Sequence, residues 1–86
     1  MNYTPTNEIG SLEYNKPYHQ HFKVNINPAE PRINKNDIIT VDTNQNTVAN
    51  NHLYLVESNG TNELKRVPSK NDVVMGRVIQ AQSILI

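Results

Sequence analysis

The chain has 86 residues, 36% of them hydrophobic, with eight basic and eight acidic side chains and a formal net charge of zero. That length bounds it to one small domain with a limited core, which favours self-association, and the charge balance removes any chain-wide pull toward phosphate backbones or anionic membranes. There is no cysteine for a disulfide or thiolate site, no apolar run near the roughly 18 residues of a membrane span, and no apolar signal-peptide region over residues 1–7, so a cytoplasmic protein is expected.

Residues 1–20 are polar, carry Pro5 and Pro17, and hold no sustained apolar period, with Ile9, Leu12 and Tyr14 able to pin a short piece against the body. They read as an N-terminal arm ahead of a β domain over 21–86, and no internal repeat is expected. From His21 the pattern alternates, and Phe22, Val24 and Ile26 fall on one face of a strand that Pro28 ends. Pro28 and Pro31 confine residues 27–32 to a turn or a single helical turn.

Asp37–Val41 is a β-branched strand, and a polar loop then leads to His52–Glu57, apolar enough to be buried on both faces. Asn59-Gly60 suits the tight primed turn of a β-hairpin, with Glu63–Val67 returning. After a turn over residues 68–72, Val73–Ala81 is the longest strand, and Gly76 within it marks a bulge or a close backbone approach. Asn is the commonest residue and glycines number three, so asparagine is expected to supply left-handed turn positions. A mainly β fold of small curled antiparallel sheets follows.

Several segments in order resemble the peptidase domain of the LexA, UmuD and phage-repressor family of self-cleaving serine–lysine proteins. In that family a Ser-Met-x-Pro turn carries the nucleophile and precedes a Gly-Asp-x-Val-x-Val-Asp strand. Here the corresponding residues are Pro28-Ala29-Glu30-Pro31 and then Asn36-Asp37-Ile38-Ile39-Thr40-Val41-Asp42. Leu53–Glu57 matches the next strand, Leu64-Lys65-Arg66-Val67 the strand that carries the general-base lysine, and Gly76-Arg77-Val78-Ile79 the closing strand. The resemblance covers residues 22–80 and implies a LexA/signal-peptidase-like fold with Pro28 and Lys65 at the nucleophile and base positions.

The departures carry the functional expectation. A serine nucleophile needs a hydroxyl beside an uncharged base, and Pro28 has neither a hydroxyl nor an N–H. Both positions are therefore read as vestigial, and the domain as a catalytically inactive protein-interaction module of a prophage-type regulator or accessory protein. Lys65 is expected to be a charged strand lysine, in water or paired with a carboxylate such as Glu30.

Two alternatives stand beside this reading. One is an active serine–lysine peptidase using another serine. Ser11 is the candidate, because Ser58, Ser69 and Ser83 lie away from the turn facing Lys65. The other is a nucleic-acid-binding module using Lys65, Arg66, Lys70 and Arg77, which the interspersed Glu63 and Asp72 oppose.

His19, His21 and His52 form a zinc-like set by type, but no carboxylate or cysteine at ligand spacing supports it, and neither metal nor cofactor is expected. Apolar Val78, Ile79, Ile84, Leu85 and Ile86 point to a homodimer through the C-terminal strand. The resemblance adds a full-length repressor or UmuD-like protein as a possible partner.

Overall fold

The computed structural model describes residues 2–8 and 14–83. Within them six strands form one antiparallel sheet: β1 (Tyr3–Thr6), β2 (His19–Val24), β3 (Ile38–Asp42), β4 (Tyr54–Ser58), β5 (Thr61–Lys65) and β6 (Val73–Gln82), in the order β1-β2-β3-β6-β4-β5. The chain is thus mainly β, as expected. Among the described residues no helix is long and apolar enough to cross a membrane.

The expected strand from His21 is β2, but it stops at Val24. The Val24 N–H donates to the Asp37 carbonyl and the Asn36 N–H to the Val24 carbonyl, while the next residue, Asn25, turns its N–H to Asn2 on the β1 side. Ile26 therefore lies outside the strand and is exposed. β1 lies within the segment read as an arm. Tyr3 pairs with Val24 and Thr6 with His21, and Tyr3 is 1% exposed.

Asn59 and Gly60 both have positive φ, 53° and 80°, and Ser58 pairs with Thr61 across them. This is the two-residue hairpin that the Asn-Gly signal predicts. Asn36 and Asn51 also adopt positive φ, so three asparagines occupy left-handed turn positions.

One face of the curled sheet holds the main core. Tyr3, Phe22, Val24, Ile39, Val41, Leu53 and Leu55 meet there, joined by Ile33 from the 25–37 loop, with Leu64, Met75 and Val78 packed against them. Alternation sends Ile38, Thr40, Tyr54 and Val56 to the opposite face, and these too are buried. The loop after β3 is pinned by the Tyr54 hydroxyl, which accepts the Ala49 N–H at 2.8 Å and donates to the Thr47 carbonyl at 3.2 Å.

Two turns share one construction. At residues 34–37 the Asp37 carboxylate accepts the Asn34 N–H at 2.8 Å, and the Asp37 N–H donates to the Asn34 carbonyl at 3.1 Å. At residues 69–72 Asp72 and Ser69 make the same two bonds with the same distances. Each turn reads Lys-Asn-Asp followed by two β-branched residues, and each opens a strand, β3 or β6. This shared motif is a recurring turn rather than an internal repeat of the fold. It spans too few residues to register as a domain-scale period.

Candidate functional site

The 25–37 loop brings Pro28 beside β5. A cleft of about 270 Å3 is lined by Asn2, Tyr3, Ile26, Asn27, Pro28, Ala29, Glu30, Glu63 and Leu64. Pro28 is half-buried in it. Tyr3 carries the only hydroxyl of this set, and burial, with Glu30 and Glu63 adding, pushes its pKa above the usual 10.0. A phenol so placed stays protonated at neutral pH.

Lys65 is not among the cleft's described lining residues; its ammonium lies 2.9 Å from Asp72 Oδ2 and 3.8 Å from Glu63 Oε2. The bond from Asp72 is the largest influence on Lys65 and raises its pKa, against the opposing pull of burial. A lysine acting as general base must shed its proton near neutral pH, so this pairing holds Lys65 in the opposite state. Glu30, the partner suggested by sequence, instead forms an ion pair with Arg66.

Asp72 is the residue that spacing does not single out. Its side chain is 1% exposed and accepts the Ser69 N–H at 2.8 Å together with the Lys65 ammonium. The Ser69 backbone bond, then Lys65 and the hydroxyls of Ser58 and Ser69, lower its pKa to about 2. Ser58 and Ser69, which lie on the hairpin and in the 68–72 turn rather than in the turn of Pro28, are gathered onto the partner of Lys65. Their hydroxyls donate to a carboxylate whose pKa is held down at about 2, too weak a base to take a serine's proton. Ser11 lies outside the described residues. Ser83 is exposed beyond the end of β6.

The basic residues do not merge into one groove. Lys65 is spent on Asp72, Arg66 on Glu30, and Arg77 donates to Gln45 Oε1 at 3.1 Å, leaving Lys70 exposed. His19 and His21 sit on one face of β2, with His21 Nδ1 2.9 Å from the Thr40 hydroxyl, while His52 precedes β4. Among the described residues no three His, Asp or Glu side chains gather as a metal-holding group.

Val78 and Ile79 are half-buried in β6, and Val78 packs on the core. Both edges of that strand are taken, by β3 and β4. A second copy would meet Val78 and Ile79 through side chains rather than by strand pairing. Ile84, Leu85 and Ile86 lie outside the described residues. Compared with protein-family models, curated proteins and solved structures, the chain matches none.

Proposed function

We propose that the chain is a catalytically inactive LexA-like domain that works in the cytoplasm as a protein-interaction module of a prophage-type regulator or accessory protein. Its partner is a second copy or a full-length repressor or UmuD-like protein. The observation that carries the reading is the state of the two vestigial positions. Proline stands where the nucleophile belongs, and the lysine at the base position is held as a cation by Asp72. A nucleic-acid-binding role draws less support, because three of the four basic residues considered for it are committed to neighbouring side chains.

The test is fluorophosphonate labelling across neutral to alkaline pH, combined with the mass of the native protein in solution. The expected results are an unlabelled, uncleaved dimer. Pro28→Ser with Ala29→Met should stay inert at neutral pH, and gain labelling only when Asp72→Asn also releases Lys65. A labelled serine in the unmodified chain would replace this reading with an active serine–lysine hydrolase, and a strict monomer with no partner in a pull-down would remove the interaction role.

A further inference from the structure

The tip of the β4–β5 hairpin places a reactive pair in water. Among the asparagines of the chain only Asn59 precedes a glycine, and Asn59, Gly60 and Thr61 are all exposed. Attack of the Gly60 nitrogen on Asn59 Cγ closes a five-membered ring, so the covalent chain itself holds the two reacting atoms as neighbours. A side chain on the following residue crowds the attacking nitrogen, and glycine has none. A Cβ at Gly60 would meet nothing within 4 Å, so the peptide between the two residues has open space in which to turn.

Two other asparagines separate the effect of the glycine from that of backbone shape. Asn36 and Asn51 share the left-handed conformation, with φ of 78° and 68°, but precede Asp37 and His52. The Asp37 N–H is also committed, to the Asn34 carbonyl at 3.1 Å, whereas the Gly60 N–H makes no hydrogen bond among the described residues. The ladder bonds of a two-residue hairpin run between the flanking residues, here Ser58 and Thr61. That pairing holds the turn shut, and the ring closes during the local openings that a hairpin tip undergoes readily.

We propose that Asn59 is a site of spontaneous modification, converted through a succinimide mainly to isoaspartate, and that this product loosens both the hairpin and the β1 edge that the hairpin holds. The Gly60 nitrogen gives its proton to hydroxide and bonds to Asn59 Cγ, and the carboxamide nitrogen leaves as ammonia. Water then adds to one of the two imide carbonyls and breaks its bond to the ring nitrogen. Opening at the former backbone carbonyl leaves the chain running through Cβ and Cγ, which is isoaspartate; opening at Cγ gives aspartate. The net exchange is one water taken up for one ammonia released, with no change of oxidation state.

The structure makes the isoaspartyl product consequential. It adds a backbone methylene to a loop of two residues whose left-handed pair, at 53° and 80°, closes Ser58 on Thr61, and the longer loop cannot keep that closure. Asn62, the next residue of β5, makes side-chain hydrogen bonds to the Tyr3 N–H and carbonyl, so a shift at Thr61 reaches β1. The modification is independent of the peptidase-like reading.

Incubation of the full chain at mildly alkaline pH in water carrying heavy oxygen, followed by peptide mapping with mass spectrometry, tests it. The segment containing Asn59 should gain one heavy oxygen at a rate at least about tenfold above those containing Asn36 and Asn51, and an isoaspartyl methyltransferase should label it. Hydrogen exchange at Thr61 and Tyr3 should be faster in the isoaspartyl fraction than in the fresh chain. Asn59→Gly keeps a residue that accepts the left-handed turn but lacks the carboxamide. After the same incubation it should gain no heavy oxygen in the hairpin and should keep its original exchange at both positions, which separates the reaction at Asn59 from general ageing of the sample. No conversion at Asn59, equal conversion at Asn36 or Asn51, aspartate as the sole product, or an isoaspartyl fraction that exchanges like the fresh chain would each overturn the proposal.

Discussion

Asp72 shows how one carboxylate sets the state of its neighbourhood. Its folded pKa, about 2, lies below the ordinary 3.8, so the stability it contributes is present above about pH 4 and is lost as pH falls toward 2. Lys65 has the opposite sign: its pKa is raised above 10.5, and its contribution persists below that value and is lost as pH rises through the folded pKa. The acid limb is the one to measure. Urea midpoints of the native chain should fall between about pH 4 and 2, while Asp72→Asn should start lower at neutral pH and show a shallower acid slope. An identical slope in the variant would assign the acid loss to other carboxylates. The Lys65–Asp72 pairing was not readable in the sequence, which offers Glu30, Glu63 and Asp72 as equal candidates. The path of the 66–71 segment chooses among them, and that path depends on the Asp72 bonds to Ser69.

At the scale of elements, β6 is the strand whose sequence signal and geometry agree most closely. Gly76 marks a close approach: a Cβ there would lie 2.5 Å from the Asp42 carbonyl oxygen and 2.7 Å from Val41 Cγ1. The approach coincides with irregular pairing. Val41 faces Val78 but Thr40 faces Gln80, and Leu55 faces Gly76 but Val56 faces Val74, so β6 carries an extra residue at Ile79 and another at Met75. Gly76→Ala must displace the backbone of a buried central strand and is expected to cost about 1–3 kcal/mol or more. Gly60→Ala meets nothing within 4 Å and is limited to the left-handed penalty of about 1–2 kcal/mol. Chemical denaturation of both variants checks the order; Gly60→Ala proving the more damaging would mean that β6 shifts freely. The hairpin and Gly76 were legible because each rests on one residue's special stereochemistry. β1 was not, because Tyr3 is its only large apolar residue and Pro5 reads as a strand breaker. Pro5 is tolerated there because, counting alternate rungs from the Asn25–Asn2 bond, its missing N–H falls on the outer side of an edge strand.

The molecule as a whole is organised by how the two edges of its sheet meet. β1 and β5 are opposite ends of the strand order, no ladder joins them, and the sheet is not closed. Two side chains reach across the gap: Asn62 Oδ1 accepts the Tyr3 N–H at 3.2 Å and Asn62 Nδ2 donates to the Tyr3 carbonyl at 2.9 Å, while Asn2 Nδ2 makes a longer bond to the Asn62 carbonyl at 3.4 Å. The Asn62 carboxamide thus presents a donor and an acceptor as a backbone peptide would, and it does so where Tyr3 and Asn62 are both buried. The sequence could announce a curled β fold through its short strands and turns, but not this contact, since an asparagine in a chain rich in them carries no positional signal. Removing the bridge leaves a buried N–H and a buried carbonyl without partners, at about 1–3 kcal/mol, and should speed hydrogen exchange first at Tyr3. Asn62→Ala and Asn62→Leu together separate bonding from filling. Leucine restores the volume that alanine removes but supplies no polar atoms, so a bridge made of hydrogen bonds predicts that both variants lose similar stability and both release β1. Near-native stability in Asn62→Leu, with only Asn62→Ala destabilised, would show that the position fills space and that β1 is held by its ladder with β2 alone.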